Sequence, residues 1–202
     1  MAENPGKSKR AFNARELSLL KNNFNGYRFC PRCAANLARL EIDGHERLVC
    51  ESPDCDFVYY HNPIPGAGAI IYTERGMLLV KRAHPPRIGT WCLPAGYMEW
   101  DESPARTTVR ETLEETGLII EIDSLFNVYS GDDDPRTNAI LTLYEAHIVG
   151  GEMKAGDDAM DAAFFQLDNI PDDIAFVAHR EAIDDLRNKV AAGTLIPSKS
   201  CI

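Results

Sequence analysis

The sequence predicts an α/β fold: a layered α/β/α domain with a mixed sheet, preceded by a small four-cysteine module. Three observations carry that reading. Two apolar stretches flank a turn at Glu74-Arg75-Gly76 in "AGAIIYTERGMLLVKRA". A capped helix follows at about 104–116, and "LIIEIDSLFNVYS" and "NAILTLYEAHIVGG" then return to strand-forming texture. Ahead of these, four of the six cysteines fall as two short-spaced pairs. Strands and helices in such an order stack in layers, because each has an apolar face to bury.

Taken in order, residues 1–25 read as a polar arm, with one short helix expected around "ARELSLLKNN". Residues 26–62 hold the cysteine module. Cys30 and Cys33 lie in "CPRC", Cys50 and Cys55 in "CESPDC", with sixteen residues between the pairs. Asp43-Gly44 signals a tight hairpin that would return the second pair beside the first. Four thiolates at such spacing suit a tetrahedral zinc ion, which with no open position would be structural. Two disulfides are the rival reading. The N-terminus has no apolar signal region, which argues against them. Of the remaining cysteines, Cys92 reads as a small core residue and Cys201 sits in a tail.

Residues 63–192 make the second, larger domain. Its "PPRIGTWCLPAG" reads as a Pro/Gly-rich loop. Ser103 as N-cap, Pro104 at the first helical position and Gly117 past the end bound the helix. "AAFFQL" offers one more strand, and "DIAFVAHREAIDDLRNKVAAG" has helical spacing with a glycine stop. Residues 193–202 form a short C-terminal tail.

With 21 Lys+Arg against 31 Asp+Glu, the net charge is −10, and the pI is about 4.9. A negative field repels phosphate backbones and argues against a nucleic-acid partner, although the first arm is locally basic. No apolar run approaches the roughly 18–20 residues of a membrane span. A cytoplasmic protein with no membrane partner is the expectation.

The charge pattern of the helix at 104–116 raises the functional question. Glu111, Glu114 and Glu115 span about 100° of a helical wheel, with Val109 and Leu113 opposite. Like charges at such spacing repel, and no lysine compensates them along the stripe. A solvated acidic face is one reading; the other is a site for Mg²⁺ or Mn²⁺, which take hard oxygen ligands and substrate phosphate. The preceding loop supplies Gly96, whose carbonyl could approach a metal, together with Glu99 and Glu102. Arg110 lies on the flank of the stripe, within reach of Glu114 or a loop acid.

Residues 96–118 resemble the Nudix box: Gly, five residues, Glu, seven residues, then Arg-Glu-apolar-x-Glu-Glu-x-Gly-apolar. Gly96, Glu102, Arg110, Glu111, Glu114, Glu115, Gly117 and Leu118 match in register. Thr112 departs, standing where the family usually has an apolar residue, and should affect packing rather than chemistry. The resemblance implies a hydrolase that attacks the diphosphate of a nucleoside diphosphate linked to a group X. It implies that Glu111, Glu114, Glu115 and the Gly96 carbonyl hold the metals while Arg110 pairs with Glu102. The general base varies among subfamilies; Glu115 is one candidate, and Asp157, Asp158 and Asp161 are others.

The cysteine ribbon, "YYHNP" and "TWCLPAGYMEWDES" resemble a zinc-ribbon Nudix subgroup that includes plant plastid enzymes acting on FAD and ADP-ribose. NADH pyrophosphatases are similar in architecture. Their SQPWPFPxS-like array is absent, since that stretch here reads "LFNVYSGDDDPRTNAIL". ADP-ribose hydrolases often carry a proline about sixteen residues past the box, and Pro135 is seventeen past Leu118. An ADP-containing substrate calls for stacking aromatics and cations; Arg82, Arg87, Trp91 and Tyr97, with Lys81 and Trp100, are the candidates. Related enzymes imply a homodimer. The alternatives are a ligand-sensing domain that does not cleave, and a nucleic-acid role for the ribbon. The intact box argues against the first and the ribbon's balanced charge against the second.

Overall fold

The computed structural model describes residues 27–156 and 158–198, which fall into two compact units dividing between Asn62 and Pro63. The helix expected around residues 14–23, Asp157 and Cys201 lie outside the described residues.

The first unit is a three-stranded antiparallel sheet of β1 (Leu37–Ile42), β2 (His45–Cys50) and β3 (Val58–Tyr59). Its hairpin turns at Asp43 and Gly44, both at positive φ, as a tight Asp-Gly connection requires. Leu48 is the only buried apolar residue of this unit besides Cys30 and Cys50, among the described residues. An apolar core this small cannot stabilise a module of such length, so the cysteine cluster has to supply the rest.

The second unit holds two sheets. One has the order β8-β4-β10-β9, built from β4 (Ile64–Ile70), β8 (Ala95–Tyr97), β9 (Leu118–Gly131) and β10 (Ala139–Gly151). The other runs β11-β6-β5, from β5 (Tyr72–Thr73), β6 (Gly76–Arg82) and β11 (Ala159–Phe165), with β7 (Trp91–Cys92) also on β6. β4 runs parallel to β10 and the other pairings are antiparallel, so the first sheet is mixed. The stretch expected to be pure loop thus contains two short strands, β7 and β8. Strands of two and three residues have no periodic signal; their partners on β6 and β4 create them.

Helix α1 (Pro104–Thr116) and helix α2 (Val177–Ala191) complete the layers. Ile70, Met77 and Leu79 pack with Ala178, Ala182 and Leu186 of α2, whereas Ala69, Ile71 and Leu78 pack with Val109 of α1. Successive residues of β4 and β6 therefore serve opposite cores, which is why both strands read as continuous apolar runs. This is the expected α/β/α arrangement.

The buried face of α1 differs from expectation. Val109 does pack inward, but Leu113 is 47% exposed, while Thr108, Thr112 and Thr116 are fully buried. Their hydroxyls donate to the carbonyls of Pro104 (2.9 Å), Thr108 (2.8 Å) and Thr112 (2.5 Å), one turn back. Burial then leaves no polar group unsatisfied. Small side chains also let α1 lie close to β4, with the Thr108 hydroxyl 3.4 Å from the Gly68 carbonyl. Ranking wheel positions by hydropathy alone misses this, because Thr pairs small volume with self-satisfied polarity.

Candidate active site

Helix α1 begins and ends as its sequence dictates. Ser103 Oγ accepts from Arg106 N, Pro104 opens the first turn, and Gly117 takes a left-handed conformation at φ 71°. These caps fix the register of the box, and β8 then meets it residue by residue. Ala95 N donates to Glu115 Oε2 at 3.0 Å. Gly96 lies so close to the Glu111 carboxylate that any Cβ there would overlap it. The Tyr97 carbonyl accepts from Arg110 Nη2 at 3.2 Å. Gly96 is therefore required by close approach rather than by its φ. Gly96→Ala is expected to displace Glu111 and lower turnover at least about tenfold, with a melting temperature close to wild type; steady-state kinetics beside a thermal melt checks this.

Arg110 organises the carboxylates. Its Nε and Nη2 form a fork to Glu102 at 2.7 and 2.8 Å, and its Nη1 reaches Glu111 Oε1 at 2.7 Å and Glu114 Oε2 at 3.1 Å. A fork to a carboxylate fixes both planes, and the guanidinium holds the Glu102 carboxyl down to about 2. The three stripe carboxylates do not share one environment. Glu114 is exposed, Glu111 is half-buried and Glu115 is only 9% exposed. Burial, then the Glu111 charge, pushes the Glu115 carboxyl up to about 8, against the Ala95 N–H and the Arg82 charge that lower it. Burial also raises Glu111, with Arg110 opposing. Two desolvated carboxylates beside a glycine backbone, sharing Arg110 with Glu102, form a set of oxygen ligands whose ionised form a divalent ion would stabilise.

The late loop contributes Asp158, whose Oδ1 lies 2.8 Å from His84 Nε2 and whose charge acts on both Glu111 and Glu115. Asp161 instead accepts from the Ala162 backbone N–H at 2.8 Å, in a bulge of β11.

The proposed substrate contacts separate. Arg82 lies beside the acidic pocket, with its charge acting on Glu115, Tyr97 and Asp134. Arg82 and Arg87 both stack on the Phe176 ring, at 5.0 and 5.1 Å. Tyr97 is half-exposed. Trp91 is buried and packs edge-on against Phe165 at 4.7 Å, with Lys81 over its ring, so core packing occupies it. Trp100 is fully exposed.

Several residues here are absent from the candidates read from the sequence. Asp133 accepts from Val177 N at 3.1 Å, capping α2 from a distant loop where Phe176 offers no cap of its own, and it pairs with Arg87 at 3.0 Å. Asp134 and Arg136 form a second fork. The acid-Pro-Arg run "DDDPRT" was the available signal for these. His179, buried in α2, accepts from Leu93 N at 3.0 Å through Nδ1. Burial, reinforced by the Arg82 charge, holds it down to about 3. Because the folded value lies below the unfolded one of roughly 6.5, the unfolded chain binds the extra proton. Stability is therefore full above about pH 6.5 and lost as pH falls from there toward 3. Melting curves from pH 8 to 4 are expected to show that decline, and His179→Gln to flatten it.

In the first unit, the four Sγ atoms of Cys30, Cys33, Cys50 and Cys55 lie within 4.8 Å of one another. The Cys33–Cys50 separation is 3.4 Å and Cys30–Cys55 is 3.7 Å. Disulfides would need about 2.05 Å, whereas a zinc tetrahedron with bonds of roughly 2.3 Å has edges of about 3.8 Å. Arg32 N and Ser52 N each donate to a sulfur two residues back, Cys30 and Cys50, at 3.4 Å, and such N–H groups stabilise thiolate.

Comparison with known proteins agrees with the site. An ADP-ribose pyrophosphatase of Methanocaldococcus jannaschii is 42% identical over 127 residues, spanning 62% of this chain and 74% of that one. A protein named NAD-capped RNA hydrolase NudC, from Chromobacterium violaceum, is 27% identical across 84% of this chain, which spans only 63% of that relative's length. The crystal structure of a NUDIX hydrolase from Nitrosomonas europaea superposes with a TM-score of 0.73 at 30% identity, covering 87% of this chain and 99% of that one. No helix among the described residues is long and apolar enough to cross a membrane. The NUDIX domain family matches residues 62–186, which contain the helix, the glycine strand and the Arg110 fork just described, and the chain belongs to that family as a NUDIX hydrolase.

Proposed function

We propose that this hydrolase is a divalent-cation-dependent pyrophosphohydrolase cleaving ADP-ribose to AMP and ribose 5-phosphate. The observation that carries the reading is the convergence of Glu111 and Glu115 on β8, one against Gly96 and the other bonded to Ala95 N. Glu111, Glu115, the Gly96 carbonyl and Glu114 would hold Mg²⁺ or Mn²⁺. The cation supplies phosphate charge neutralisation and a more acidic bound water. The chain's own residues do the positioning: Arg110 and Glu102 lock the loop to the helix, and Arg82 offers a cation beside the pocket. Asp158, pinned by His84, is the acceptor proposed for the proton of the attacking water. The four cysteines would hold a structural zinc ion, and the assembly proposed is a homodimer.

ADP-ribose ranks first because the M. jannaschii relative bears that activity in its name and because Pro135 follows the box. FAD stays second, on the resemblance of the ribbon and "TWCLPAGYMEWDES". An NAD-containing substrate is favoured by the relative named NAD-capped RNA hydrolase, and NADH itself is disfavoured by the absent SQPWPFPxS array. A Mg²⁺-dependent screen of ADP-ribose, FAD, NADH, dinucleoside polyphosphates and nucleoside triphosphates, read by product identity, tests the order. AMP with ribose 5-phosphate supports it. AMP with FMN would move the assignment to FAD, and binding without turnover would leave a ligand sensor.

A further inference from the structure

Beyond the carboxylate pocket lies a second polar cluster that the metal chemistry does not use. The loop between β9 and β10 carries Asp134 and Arg136. Arg136 Nε approaches Asp134 Oδ1 at 3.0 Å and its Nη2 reaches Oδ2 at 2.7 Å, while Nη1 donates to the Pro85 carbonyl at 3.3 Å. The guanidinium also interacts with the Tyr97 hydroxyl. Tyr97 is the residue next to Gly96, in register with Gly66 of β4. The Arg82 charge acts on Glu115 and also on Tyr97 and Asp134.

The exposures are graded. The Asp134 side chain is 10% exposed, Arg136 35%, and Tyr97 as a whole 40%. The buried carboxylate fixes the guanidinium, and both the Arg136 side chain and Tyr97 stay partly exposed. Arg87 and Asp133 anchor the same loop to the α2 N-terminus, so it is a held element rather than a free one. The remaining Nη–H donors of a guanidinium fixed in this way, beside an aromatic face, suit a polyhydroxylated sugar, whose hydroxyls accept hydrogen bonds while its C–H face lies on the ring. A guanidinium bound to a buried carboxylate retains less charge for a second phosphate, and Arg82 already serves that need beside the metal pocket.

We propose that Arg136, Asp134 and Tyr97 form the subsite for the group X, and that its ligand is the terminal sugar of a nucleoside diphosphate sugar. The inference rests on the ADP-ribose reading above. Arg136 and Tyr97 touch the sugar, and Asp134 positions Arg136.

Calorimetric titration of the full chain with ADP-ribose and with ADP, in Ca²⁺, separates the sugar from the diphosphate. Arg136→Gln and Tyr97→Leu are each expected to weaken ADP-ribose at least about tenfold while leaving ADP within twofold. In turnover, the loss should appear in KM with kcat nearly unchanged. Equal weakening of both ligands, no weakening, or wild-type protein that binds ADP-ribose no better than ADP overturns the subsite. Selective ADP-ribose binding without hydrolysis by wild type would instead overturn the pyrophosphohydrolase reading and leave the subsite standing. Thermal melts of both variants identify misfolding, and Arg136→Lys, which keeps charge but loses the fork, should recover less than half of the lost affinity.

Discussion

Glu115→Gln is expected to lower turnover at least about a hundredfold and, in metal-free protein, to raise the melting temperature at alkaline pH. The two effects share one cause. Glu115 is the most deeply buried carboxylate of the pocket, with the Glu111 charge nearby and a single backbone N–H to bond. Its folded value of about 8 lies above the unfolded one, so the folded state binds the extra proton. That contribution to stability is full below about pH 4.5 and lost as pH rises through 8. Above that point the metal-free fold carries an unneutralised buried charge, which costs about 1.4 kcal/mol for each tenfold difference in proton affinity between the folded and unfolded chain. Glutamine keeps the acceptor for Ala95 N and removes the charge, so metal-free melts at pH 9 should move up by several degrees. Added Mn²⁺ should stabilise wild type and leave the variant nearly unmoved. Near-wild-type turnover, or equal Mn²⁺ stabilisation of both proteins, would remove Glu115 from the metal ligands.

The second large effect lies in the cysteine unit. Cys30→Ser should reduce bound zinc from one ion per chain to near none and unfold residues 27–62. Burial is opposed at Cys30 by the Arg32 and Cys33 backbone N–H groups, which bring its thiol down to about 7, while burial drives Cys50 up to about 12. Four neighbouring thiols cannot all ionise without a cation among them. Structural zinc contributes about 10–16 kcal/mol in small modules, and Leu48 alone cannot replace that. Metal analysis with proteolysis of the variant checks the expectation. Full zinc content and an intact ribbon would falsify the four-cysteine site.

The features legible in the amino-acid order are those whose signals are local. The spacing of Cys30, Cys33, Cys50 and Cys55, the caps at Ser103 and Gly117, and the eight box positions need only chain geometry and a helix of known pitch to be interpreted. From these the cysteine site, the family and the carboxylate stripe followed, and from the strand-forming runs around the helix the layered fold. Features that depend on distant partners emerge only from packing. Thr108, Thr112 and Thr116 rather than Leu113 lie against the sheet, because small side chains whose hydroxyls bond their own helix can be buried there. Trp91 is buried against Phe165, and Asp133 reaches the N-terminus of α2 across 44 residues of sequence. Above all, packing separates three neighbouring glutamates into an exposed, a half-buried and a buried one. Helical spacing gives their common direction, but only the strand laid against them sets how much water each retains, and hence how strongly each would demand a cation.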